Sequence, residues 1–239
     1  MSVTDATVRA EYGAAVERMA GRALDALRDG GGTGALSWPL SRAELAAVRV
    51  LGADLFAPHL VGASVPGDDA ALAVAEAYQL FPPQPECDLV TAWHDWAARA
   101  LSAHIGSAEA GQAATVPPEP PPPARTPDAD AGGWRQRASA VARLAPLALP
   151  GFDSPLHQAV RAHPLALARG AVRAMLRRDH RTAARLTRWL AWLHYTHMSV
   201  PLEIAPLLAR LRQVGDGSAR TRLDLAVAER LLHAHPEDR

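Results

Sequence analysis

Leu186-Thr187-Arg188-Trp189-Leu190-Ala191-Trp192-Leu193 carries the strongest architectural signal in the chain. Its two tryptophans stand three residues apart, which places both indoles on one face of a helix, where each can bury a large apolar area. Shifted by 96 residues, Thr91-Ala92-Trp93-His94-Asp95-Trp96 repeats the same Thr-x-Trp-x-x-Trp pattern. That offset also sets Trp38 on Trp134, Leu51 on Leu147, Phe56 on Phe152 and Leu80 on Leu176. Between 38 and 100, 12 of 63 positions are identical without a gap, and all six tryptophans fall in register. Rare residues weigh more than alanine matches here. The expectation is an all-α helical bundle of two pseudo-repeated three-helix units, about 36–105 and 132–200, with flanking N- and C-terminal helices.

Outward from these segments the period stays helical. Val8, Tyr12, Ala15, Val16, Met19, Ala23 and Leu27 recur at three- and four-residue steps behind Asp5, a good N-cap, and stop at Gly30-Gly31-Gly32. Ser41-Arg42-Ala43-Glu44 reads as a capping box. Asp68 and Asp69 favour a helix start, with Pro82 and Pro83 forbidding continuation past about Leu80. A further helix fits Cys87 to about Ile105. Helices resume at about 134–148, 154–177 with a break at His163-Pro164, 179–198, 201–213 and 218–234. Asp153 or Ser154, Asp179 and Ser218 supply caps. Between the two series, Val116 to Pro127 holds 7 of the 20 prolines. This divides the chain into an acidic N-terminal half (1–106), a Pro-rich linker (107–131) and a basic C-terminal half (132–239).

The 25 basic residues, all Arg, balance 25 acidic ones, which excludes a protein whose whole surface grips nucleic acid or anionic membrane. A hydrophobic fraction of 49% excludes a wholly disordered chain. Cys87 is the only cysteine, so no internal disulfide forms. Asp5, Arg9, Glu11, Glu17 and Arg18 interrupt the first 22 residues, and no window reaches the ~18 apolar residues of a membrane span. A cytoplasmic protein follows. The neutrality is uneven: residues 1–133 carry 8 Arg and 17 acids, residues 134–239 carry 17 Arg and 8 acids. Halves of opposite sign are expected to attract each other.

Ten histidines make catalysis worth weighing. His94-Asp95 resembles the signature pair of the HD-domain phosphohydrolases, an all-helical family with a His…His-Asp…Asp metal site. The resemblance implies His59 upstream and Asp153 or Asp179 downstream as further ligands for a divalent ion that activates water. It covers the dipeptide and loose spacings only, and Trp96-Ala97-Ala98 follow in place of the family's small residues. On a helical wheel Asp95 falls opposite the core face, beside Arg99, which favours a solvated i, i+4 pair. His104 falls on the core face. His194 and His197 share a helix at metal-compatible spacing but lack further ligands, so no metal-binding residue is assigned and no cofactor follows. Arg169, Arg173 and Arg177 form an i+4 ladder, continued by Arg181, Arg185 and Arg188. With a break near Asp179 they become two basic ridges suited to an anionic partner. No aromatic interleaving points to nucleic acid. Cys87, between Glu86 and Asp88, is a poor nucleophile.

The leading expectation is therefore a non-catalytic binding or interaction module for a protein or small anionic ligand. Trp93, Trp189, Arg169, Arg173 and Arg177 are the ligand-binding candidates, and a homodimer is compatible. The alternative is an enzyme with a pocket lined by His, Trp and Arg, with His94, His157, His194 and His197 as catalytic candidates.

Overall fold

The computed structural model describes residues 3–29, 38–62, 68–84, 86–105, 119–121 and 133–234. The predicted linker, apart from 119–121, lies outside the described residues, as does His235. The chain forms two units, Met1–Glu119 and Pro120–Arg239. Among the described residues both are helical, with no strand and no helix long and apolar enough to cross a membrane.

The first unit contains α1 (Val3–Asp29), α2 (Arg42–Leu51), a 3-10 turn (Gly52–Phe56), the single-turn α3 (Ala57–Leu60), α4 (Asp68–Leu80) and α5 (Leu89–Ile105). The capping box forms as expected. The Ser41 hydroxyl accepts from the Glu44 backbone N–H at 3.2 Å, and Glu44 accepts in turn from the Ser41 N–H at 3.0 Å. These backbone and hydroxyl donors hold the Glu44 carboxyl below its usual range. Asp5 lies inside α1 rather than at its cap, and the side chain of Asp88 instead caps α5 through the Thr91 N–H. Met19, Leu24 and Leu27 of α1 and Leu51, Phe56 and Trp93 fill the core as α1 packs on α2, α2 on α4 and α4 on α5.

The second unit contains α6 (Gly133–Arg143), a 3-10 turn (Ala145–Leu147), α7 (Pro155–Arg161), α8 (Pro164–Leu176), α9 (His180–Tyr195), α10 (Ile204–Val214) and α11 (Ala219–His233). The expected break at His163-Pro164 separates α7 from α8. Asp179 and Ser218 cap α9 and α11 by accepting from the Thr182 and Thr221 N–H groups. α9 is the hub, packed against α8, α10 and α11, and every residue from Leu186 to Leu193 is buried. Trp189 and Trp192 meet edge-on at 5.6 Å, and their indole N–H groups donate to the Val141 and Leu149 carbonyls. Trp93 and Trp96 of α5 also meet edge-on, at 5.4 Å.

Two helices end on a left-handed residue that is not glycine. Arg178 and His197 both have φ 59°. The Asp179 N–H reaches the Ala174 carbonyl and the Arg178 N–H the Met175 carbonyl. Met198 and His197 repeat that pattern onto Leu193 and His194. This paired closure satisfies the last carbonyls of α8 and α9. It ends α9 at Tyr195, short of the predicted 198, so His197 lies beyond the helix that was expected to hold it beside His194.

Candidate functional site

α8 is amphipathic in an unusual sense, because two of its faces are apolar. Ala166, Leu167, Gly170, Ala171 and Ala174 are buried toward the unit's core. A Cβ on Gly170 would stand 2.5 Å from the Ala138 Cβ, so the close approach of α8 to α6 depends on that glycine. The opposite face carries Leu165, Val172 and Leu176 at 47, 45 and 81% exposure. These residues line an open groove of about 420 Å³ together with Trp134, Ala168, Arg169, Arg173, Arg177, Pro201 and Leu202.

Three arginines of the predicted ladder are thus brought together at one surface. Arg169, Arg173 and Arg177 are exposed, and among the described residues none has a carboxylate at ion-pairing distance. Some arginines elsewhere do. Arg161 pairs with Asp153 at 2.9 Å and Arg212 with Glu229. Of the ladder's continuation past the bend at Arg178, Arg181 stays exposed while Arg185 and Arg188 turn inward. Arg188 is fully buried, donating to Asp224 at 3.0 Å and to the Pro146 and Ala148 carbonyls, with Arg185 at 4.0 Å from the same carboxylate. Those two tie α9 to α11.

The four histidine candidates are placed differently. His157 is fully buried. Its Nδ1 lies 2.7 Å from the Ser154 Oγ and its Nε2 3.0 Å from the Leu147 carbonyl. A carbonyl only accepts, so Nε2 carries the proton and Nδ1 accepts from the hydroxyl. Phe152 stacks on the ring at 5.7 Å, and Trp189 and Trp192 close the remaining sides. Burial pushes its pKa down to about 4, against the opposing pull of the Leu147 carbonyl. Both nitrogens are thus engaged by the protein in a closed aromatic cage. His194 and His197 are exposed at the C-terminal end of α9. His94 is half-buried on α5 of the first unit.

Asp95 corrects the wheel. It is 2% exposed rather than solvated, and pairs with Arg49 of α2 through both carboxylate oxygens, Nη2–Oδ2 being 2.8 Å. The Tyr78 hydroxyl of α4 donates to Oδ1 at 3.1 Å, and Arg49 lies 4.1 Å over the Tyr78 ring. Burial pushes the Tyr78 hydroxyl pKa well up, assisted by the Asp95 charge. Arg99 reaches the Asp95 backbone carbonyl, at 3.3 Å, rather than the carboxylate, and lies over the Tyr78 ring. The carboxylate that the HD resemblance would lend to a metal is engaged by a guanidinium and a phenol. Among the described residues no three His, Cys, Asp or Glu side chains stand together as a metal would require. His104, expected on the core face, is exposed. Trp93 and Trp189, at 1 and 0% exposure, are core residues of their units.

No protein-family model, curated protein or solved structure matches the chain. The groove rests on its own chemistry. Sequence reasoning found its arginines but missed Leu165, Val172, Leu176 and Trp134. A signal was available: Leu165, Val172 and Leu176 sit at i, i+7 and i+11, opposite the small-residue face of the same helix.

Proposed function

We propose that the protein is a non-catalytic helical binding module, soluble and cytoplasmic, that docks a protein partner along the outer face of α8. The exposure of Leu165, Val172 and Leu176 beside Arg169, Arg173 and Arg177 carries this reading. Burying one such side chain is worth about 1.5–3 kcal/mol, and a contiguous apolar surface rimmed by charge is the usual form of an interaction site. The openness of the groove favours a protein over an enclosed small ligand. The enzyme reading has less support: His157 is sealed by its own partners, and His194 and His197 project into solvent. The single cysteine cannot form an internal disulfide, so nothing in the sequence points to an oxidising compartment.

The two units are further read as diverged repeats. The helices Asp68–Leu80 and Pro164–Leu176 are both 13 residues long, and both of their ends differ by the 96 residues that align the tryptophans. Leu51 and Leu147, Phe56 and Phe152, and Trp93 and Trp189 are buried at matching positions. The matched Trp pairs share an edge-on geometry.

Anilinonaphthalene sulfonate, an apolar aromatic anion, tests the groove directly. One saturable site is expected, weakened about tenfold or more by Leu176→Asp or Arg173→Glu, each with an unchanged circular dichroism spectrum. Absence of saturable binding, or binding indifferent to both substitutions, contradicts the reading.

A further inference from the structure

We infer that the occupant of the groove is an amphipathic helix of a partner protein, with a row of carboxylates along one flank of its apolar stripe. The inference rests on the docking reading above and narrows it to one partner chemistry.

Leu165, Ala168, Val172 and Leu176 follow one another at steps of three, four and four residues. Eleven residues over three turns drift by only about 20°, so the row runs nearly parallel to the helix axis for about 16 Å. The exposed side chains at i, i+7 and i+11, with the buried methyl of Ala168 (4% exposed) between the first two, interlock with a ridge of the same period, which is what a second helix presents. Arg169, Arg173 and Arg177 each follow a member of the row by one position and wind away from it at about 40° per step. They make a single charged flank, not a surround. The partner helix should answer with Glu or Asp at four-residue spacing along one edge, in the manner of the flanking positions of a coiled coil.

Charge separates the competing occupants. A second copy docked antiparallel by a twofold axis would set each Arg flank against its own equivalent, and a parallel copy would set it against the other flank of a helix that holds no Asp or Glu, so neither compensates the charge. The surrounding residues 134–239 carry 17 Arg and 8 acids, which disfavours a basic partner at longer range as well. The apolar row lines a concave groove together with Trp134, Pro201 and Leu202, a shape that matches a helix better than a flat bilayer.

The test uses the full chain and capped synthetic helical peptides with Leu at i, i+3, i+7 and i+11 and either Glu or Lys at i+4, i+8 and i+12. The Glu peptide should bind at one site, and more weakly as salt rises from about 0.01 M to about 1 M, where the Debye length falls from about 30 to about 3 Å. Combined Arg169→Glu, Arg173→Glu and Arg177→Glu should weaken the Glu peptide about tenfold or more and create binding of the Lys peptide. Equal binding of both peptides, or of neither, overturns the inference. So does binding to phosphatidylserine vesicles in place of the peptide, or self-association in sedimentation that the triple reversal abolishes. If the peptides fail while the dye still binds, only the helix inference falls. If the dye fails too, the docking reading falls with it.

Discussion

Removing the Asp95 carboxylate would strand the Arg49 guanidinium among α2, α4 and α5. Breaking one side of a buried pair is costly because the remaining charge loses its counter-ion, and Arg49 would keep only neutral acceptors, the Phe81 carbonyl and the Tyr78 hydroxyl. Asp95→Ala should therefore lower stability by about 3 kcal/mol in urea unfolding, whereas Arg49→Met combined with Asp95→Leu should recover most of that loss. His157 carries a second residue-level consequence. An unfolded chain protonates this imidazole near 6.5, while burial keeps the folded ring neutral down to about 4. Between those values the unfolded state binds the extra proton, so stability falls as pH drops through that window, by up to roughly 3 kcal/mol. Above 6.5 the contribution is fully present. Unfolding free energies from pH 7 to 4 check this, and His157→Gln should remove that part of the slope even if the variant is less stable throughout. Asp95 was misread in the sequence because a single-face wheel cannot anticipate a helix flanked on two sides. α4 and the 3-10 turn after α2 both pack on α5, so the side opposite Trp93 is interior too.

At the scale of elements, α8 shows how one helix serves a core and a surface. Gly170 lets its inner face approach Ala138 closely, which sets the depth at which Leu165, Val172 and Leu176 stand outside. In an exposed helix Gly→Ala gains about 1 kcal/mol. Here the added methyl meets the Ala138 Cβ and the Leu186 side chain, so Gly170→Ala should instead destabilise by about 1–3 kcal/mol. Thermal unfolding of this one variant decides the sign. Helix boundaries governed by local chemistry were legible in the sequence: the Ser41–Glu44 capping box, the caps at Asp179 and Ser218, and the break at His163-Pro164. Boundaries governed by an uncommon backbone choice were not. α9 closes on His197 in a left-handed conformation where glycine is the usual signal, and the predicted helix therefore ran on too far. Ser154 was legible as a cap by type, yet its hydroxyl turns to the His157 ring, a contact set by tertiary structure.

Over the whole molecule, the balance of 25 Arg against 25 acids conceals a local asymmetry. Arg49 and Arg188 are absorbed internally, whereas Arg169, Arg173 and Arg177, which have no carboxylate at ion-pairing distance among the described residues, stand beside exposed apolar side chains. The Arg ladder was visible in the sequence; that its first half stays outside while Arg185 and Arg188 turn in to Asp224 follows from the bend at Arg178 and could not be read from spacing. The central claim is that this one face of the second unit is where a partner docks. Amide and indole NMR of the full chain, titrated with the Glu-bearing helical peptide, tests it most directly. Shifts should concentrate at Leu165 to Arg177, Leu202 and the Trp134 indole, leaving the sealed Trp189 and Trp192 indoles unmoved. Shifts centred elsewhere, or no shift at saturating peptide, would contradict it.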